Sequence, residues 1–184
     1  MGMDTEAATT RTLDAAEKLF YAKGIHAVGM DDIRDEAGVS LKRLYQLFPN
    51  KERLVTAFLQ RRDVHWRGRL ATHVSRAADA DARLLAVFDW LGSWFREPGF
   101  RGCAWVNSFG ELGATSPAVA AEARRHKDAV HAYLRELVAA AGRPRELADH
   151  LFLLVEGATT VAAISGSAAP ARQAGTAAAE LLGG

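Results

Sequence analysis

Apolar residues recur along this chain at intervals of three and four, and strict alternation is hard to find. Leu13, Ala16, Leu19 and Phe20 form the apolar face of a first helix that begins near Glu6 and stops at Gly24. A short second helix is predicted from about Met30 to Ala37, with Gly29 as its cap and Asp31 and Asp32 at its positive end. Gly38 then makes a turn, Ser40 caps a third helix, and Pro49 ends it. A long fourth helix starts at Asn50 or Lys51 with Leu54 and Phe58 inward, and runs through Trp66, Leu70 and Val74 to a polar break at Ala78–Asp81. Further helices are predicted at about Asp81–Arg96, Cys103–Leu112, Pro117–Ala141, Pro144–Ser165 and Pro170–Leu182, three of them opened by a first-turn proline. Abundant alanine and sparse β-branched residues agree with an all-α fold.

With 184 residues, 49% hydrophobic and 24% charged, the chain can bury a core and is not of disordered composition. Its net charge of +1 rules out a uniformly basic surface, so any attraction to nucleic acid must be local. Between Gly38 and Arg53 the bases Lys42, Arg43, Lys51 and Arg53 face one acid, Glu52. Cys103 is the single cysteine, so no intrachain disulfide can form, and a reducing, cytoplasmic location is expected. The N-terminus carries no secretory pattern. Glu156, Thr159, Thr160 and two serines interrupt the apolar stretch from Leu151 to Ala169, so no membrane role is expected.

The segment Gly38–Lys51, GVSLKRLYQLFPNK, has the residue types of the second half of a helix-turn-helix. Leu44 and Phe48, four apart, point to one side and would pack on Leu19 and Phe20. Ser40, Leu41, Lys42, Arg43, Tyr45 and Gln46 are left on or near the outer surface. Arg43 can fork onto a guanine edge and Gln46 can pair with adenine, while Tyr45 and Lys51 suit phosphate oxygens.

The run from Asp32 through Ala37-Gly38-Val39-Ser40, followed by Leu44-Tyr45, Phe48, Lys51 and Leu54, resembles the signature of the tetracycline-repressor (TetR) family over roughly Thr10 to Phe58. The resemblance implies an all-α homodimeric repressor of double-stranded operator DNA with a small-molecule pocket in its C-terminal part. The expected organisation is a three-helix helix-turn-helix DNA-binding domain, residues 1–52, joined by a continuous helix to a helical ligand-binding and dimerisation domain, residues 53–184. Arg34, Leu47 and the pair Asp31–Asp32 depart from the family pattern, and the acids are expected to repel a phosphate. Arg101-Gly102-Cys103-Ala104-Trp105-Val106-Asn107 is similar to a subgroup with a Gly-Cys segment opening its sixth helix.

Phe88, Trp90, Trp94, Trp105 and Phe109 give a high local density of aromatics, which reads either as core or as a pocket for an aromatic or lipophilic effector. Asn107, Glu111, Glu156 and Thr160 are its candidate polar groups. The last two helices are expected to pair with their symmetry mates through Leu151, Leu154, Val155, Ala158 and Ala162. No phosphate loop, metal-binding spacing or nucleophile elbow is present, so neither an enzyme nor a cofactor or metal site is expected. A thiol sensor built on Cys103 is the alternative regulator.

Overall fold

The computed structural model describes residues 4–183, and every regular element among them is a helix. They are α1 (Thr5–Lys23), α2 (Met30–Ala37), α3 (Leu41–Leu47), α4 (Lys51–Val74), α5 (Ala80–Phe95), α6 (Ala104–Leu112), α7 (Pro117–Ala140), α8 (Leu147–Ser165) and α9 (Ala169–Gly183). The all-α expectation holds, and most helix ends fall within a residue or two of the predicted ones.

The differences have local causes. Helix α3 stops at Leu47 because a residue preceding proline is driven out of helical dihedrals, and Phe48 is extended at φ −132° and ψ 98°. Helix α8 starts at Leu147, not Pro144, because the chain turns first: the Leu147 N–H donates to the Pro144 carbonyl at 3.0 Å. Asn50 caps α4 by accepting from the Arg53 N–H at 2.9 Å, and Asp79 caps α5 by accepting from Ala82 at 2.8 Å.

The chain divides into two compact units that are not consecutive in sequence. The first takes the residues up to Val64 together with Ala104–Arg124. Its core is built from Leu19, Phe20, Ile25, Val28, Ile33, Leu44, Leu54, Val55 and Phe58, all buried, with the Phe20 and Phe58 rings edge-on at 5.9 Å. Arg61 of α4 reaches Asp14 at 2.8 Å and Glu17 at 3.0 Å on α1, and Arg62 reaches Glu17 at 2.6 Å while lying 4.0 Å from the Tyr21 ring. Helix α6 and the start of α7 belong to this unit, so it includes residues far in sequence from the helix-turn-helix.

The second unit comprises His65–Cys103 and Arg125–Gly184. In it α9 packs on both α5 and α8. Gly175 eases the close approach, since a Cβ there would meet Phe88 at 3.2 Å, whereas one at Gly92 would make an ordinary contact with Ala171 at 3.5 Å. Gly102 has φ +82°, and a Cβ there would lie 2.8 Å from that of Ala163, so any side chain would clash with α8. Arg143, just before α8, donates to Asp81 of α5 at 2.7 Å and to the Leu182 carbonyl of α9 at 2.9 Å.

That last contact predicts a pH-dependent stability. The hydrogen bonds from Arg143 hold Asp81 below its ordinary carboxylate range, against an opposing contribution from burial. A carboxylate depressed on folding contributes stability above its unfolded pKa and loses it as pH falls through the folded one. Asp81→Asn should therefore lower the thermal midpoint at neutral pH. Melts at decreasing pH should show the difference persisting through the ordinary carboxylate range and vanishing only below it.

Candidate nucleic-acid interface and effector region

The candidate DNA-reading surface is set by how α3 is held. Gly38 takes φ +61°, and a Cβ there would come within 2.5 Å of the Arg11 guanidinium, so only glycine makes this turn without displacing Arg11. The Ser40 hydroxyl then accepts from the Arg43 N–H at 3.2 Å, and its carbonyl accepts from Leu44 at 2.9 Å. Leu44 is fully buried and Phe48 nearly so. On the other side Leu41 and Tyr45 are exposed one turn apart, as are Lys42 and Gln46. Ser40 is exposed and Arg43 half-buried.

Arg43 is not loose in the free protein. One of its terminal nitrogens donates to the Thr5 hydroxyl, at the start of α1, at 2.5 Å. Thr5 was not among the sequence-derived candidates, and a 38-residue separation leaves no periodic trace. Lys51 is half-buried with its ammonium 6.0 Å from the Phe20 ring centre. Burial holds its pKa below the usual lysine range, partly offset by the nearby Glu111 and Asp32 carboxylates.

The acids of α2 are engaged within their own helix. Asp31 pairs with Arg34 at 2.8 Å, and Arg34 also pairs with Asp35 at 2.8 Å. Asp32 accepts from the Gly29 N–H at 2.7 Å and closes the helix start. The Arg34 departure thus supplies the countercharge for Asp31, and repulsion of a phosphate by the pair is reduced accordingly.

The nine sequence-derived effector residues are split between the units. Trp105, Asn107, Phe109 and Glu111 belong to the first: Trp105 is buried, Asn107 and Phe109 are exposed, and Glu111 is bonded to the α1–α2 turn. Phe88, Trp90, Trp94, Glu156 and Thr160 belong to the second. There Trp90 and Trp94 stack at 5.5 Å, and Trp66 stands edge-on to both at 4.7 and 5.4 Å. His126, buried, sits 5.2 Å from Trp66, and Phe100 lies 5.0 Å from Trp94. Sequence reasoning placed neither Trp66 nor His126 with the other rings. An open groove of about 520 Å³ between α5 and α9 takes in Phe88 with Asp89, Arg96 and Arg172.

Glu156 has a definite partner. The Lys127 ammonium donates to it at 2.5 Å and approaches the Cys103 sulfur at 3.3 Å. Burial disfavours the ammonium, yet Cys103 and Glu156 outweigh that and hold its pKa above the usual lysine range. Thr160, one turn further along α8, is exposed.

Four of the five residues named for a dimer seam, Leu151, Val155, Ala158 and Ala162, are buried within the chain itself, and Leu154 is half-buried. Helix α8 packs that stripe against its own unit, which leaves little of it for a second copy. Its solvent face instead carries Leu153, Val161 and Ile164, 67, 52 and 83% exposed, around Gly157 and Thr160. Length and composition alone would let α8 cross a membrane, a test that core helices of soluble proteins also pass. Among the described residues no group of His, Cys, Asp and Glu could hold a metal ion.

Removing the Ser40 cap should expose the orphan N–H of Arg43. Ser40→Ala is expected to cost about 1 kcal/mol of stability, read as a shift in the urea unfolding midpoint. Whatever DNA affinity the chain has should fall with it.

Two family models match the chain. A family model for bacterial regulatory proteins of the tetR family matches residues 13–58, and a tetracyclin repressor-like C-terminal domain model matches residues 80–178. An uncharacterized HTH-type transcriptional regulator of Mycobacterium tuberculosis is 35% identical over 81 residues, 44% of this chain and 40% of that protein. The HTH-type transcriptional activator FasR of Mycolicibacterium smegmatis is 53% identical over 49 residues, 27% of this chain and 22% of FasR. The chain thus matches less than half the length of these curated relatives. A TetR-family transcriptional regulator from Streptomyces coelicolor superposes with a TM-score of 0.88 at 29% identity, over 96% of this chain and 95% of the other. A TetR transcriptional regulator from Chloroflexus aurantiacus gives 0.82 at 26%, over 96% and 94%.

Proposed function

We infer the function from one premise, that the chain belongs to the tetR family of bacterial regulatory proteins: it is a DNA-binding transcriptional regulator, and not an enzyme. Beyond that, we propose a cytoplasmic homodimeric repressor that binds a palindromic operator and is released by a lipophilic or aromatic small molecule.

The exposed face of α3 is the observation that carries the DNA reading. Leu41, Lys42, Tyr45 and Gln46 point outward from a helix pinned by Leu44, with Arg43 and Lys51 at its margins. Arg43 and Gln46 are assigned to base edges, and Tyr45 and Lys51 to phosphates. The solvent face of α8 supports the dimer, with Leu153, Val161 and Ile164 as the seam in place of its buried stripe. Two reading heads on a two-fold axis then require two half-sites in inverted repeat.

The effector reading rests on the cluster of Trp66, Trp90, Trp94 and His126 in the second unit. Flat apolar molecules can intercalate among such rings, and release of DNA then follows only from a difference in affinity for two states of the protein. The Gly-Cys segment has its place here too: Gly102 fits against α8 and Cys103 contacts Lys127. A thiol sensor at Cys103 is the second reading, for which the 3.3 Å contact with Lys127 is the one observation. A Cys103→Ser protein that still releases DNA on adding the inducing compound removes it.

Selection of bound sequence from a random DNA pool should return an inverted repeat. Against that operator, Arg43→Ala is expected to lose about 1–3 kcal/mol of discrimination at one base pair per half-site. Lys51→Ala should weaken binding to all sequences alike and flatten the salt dependence. An Arg43→Ala protein that discriminates against every single-base variant as strongly as the unmutated protein would contradict the assignment. Transcription from the adjacent promoter should rise when the gene is deleted. A fall would make the protein an activator, as FasR is by name.

A further inference from the structure

We propose that Glu111 is a positioning residue for DNA binding: from the end of α6 its carboxylate clamps the α1–α2 turn and holds the reading helix in place. The inference rests on the DNA-reading role of α3 argued above. It concerns a residue that touches no DNA.

Glu111 lies in the last turn of α6, where a negative charge opposes the helix dipole. An acid there is unfavourable unless something else takes up its charge, and two backbone donors do. Its Oε1 accepts from the Ile25 N–H at 2.9 Å and its Oε2 from the His26 N–H at 2.7 Å. The His26 ring nitrogen Nε2 lies 3.1 Å from the Glu111 carbonyl, within hydrogen-bonding reach. Helix α1 has ended at Lys23 and α2 does not start until Met30, so no helical carbonyl serves these two N–H groups. They follow a glycine at φ +87° and form a small concave donor pair of the kind that binds anions. Gly24 also leaves the space, since a Cβ there would stand 3.2 Å from the carboxylate.

The turn is mechanically linked to the reading helix. Ile25 and Val28 are 2% and 1% exposed and plug the core of the first unit immediately before α2. Helix α2 passes through the tight Gly38 turn directly into α3. Slack at residues 24–28 therefore becomes a change in the seating of α2 and α3. The clamp comes from a segment 86 residues away in sequence that packs in the same unit.

Electrostatics and positioning predict opposite outcomes. Glu111 is among the acids whose field acts on Lys51, the proposed phosphate contact. If it acted only as a nearby negative charge, removing that charge would tighten DNA binding. If it positions the head, removal reduces the fraction of binding-competent protein, and apparent affinity falls by the same factor.

The test is Glu111→Gln, which keeps shape but turns an amide donor toward one of the two N–H groups. Operator affinity of the full-length protein should fall about tenfold, with an unchanged slope against salt because no phosphate contact is lost. Amide hydrogen exchange at Ile25 and His26 should accelerate while α1 and α4 stay protected. Glu122→Gln, the same charge change on the same returning segment, should leave affinity unaltered. Affinity that rises or stays constant in Glu111→Gln overturns the inference while operator binding by the unmutated protein stands, and so does an equal loss in Glu122→Gln. Fast exchange at both amides in the unmutated protein shows that the clamp is not formed. A parent protein that selects no DNA sequence overturns the proposed function, and this inference with it.

Discussion

A seven-residue helix cannot hold its own shape in water, and the reading surface of this protein depends on one that is seven residues long. Burial of Leu44 is what makes α3 possible. It commits one side of the helix to the core, and the three-to-four residue period then leaves Leu41, Lys42, Tyr45 and Gln46 no direction but outward. Ser40 accepts from the Arg43 N–H, Pro49 enforces the end, and Gly38 sets the angle from α2. Each of these would be weak alone. Together they keep four side chains in a fixed relation without any of them contributing to the core.

The charge pattern follows the same economy. A chain with net charge +1 has no general attraction for DNA, so the small basic group around α3 must act at short range. Arg34 engages Asp31 and Asp35, and Asp32 is used as a cap, so the acids closest to the reading helix are occupied by α2 itself. Arg61 and Arg62 are similarly taken up by Asp14 and Glu17.

The chain passes between its two units three times. The crossings fall within α4, between Cys103 and Ala104, and within α7.

The helical fold, the boundaries of the first three helices, the start of α4 and the exposure of Leu41, Lys42, Tyr45 and Gln46 on α3 were all legible in the sequence. They depend on local rules: apolar period, caps, and glycine or proline at the ends. Residue type and spacing also carried the family resemblance over Thr10 to Phe58, where the family match covers residues 13–58. Which apolar stripe of α8 faces inward was not legible, because both sides are apolar and only packing against α9 selects Leu151, Val155, Ala158 and Ala162 over Leu153, Val161 and Ile164. Nor were the partners of Glu111, Glu156 and Arg43 legible. Each lies 29 to 86 residues away in sequence, at a separation that no helical period can register. Local chemistry chose the elements and the face that reads. Long-range packing decided which charges meet, because a salt bridge or a clamp exists only where the folded chain brings its two ends together.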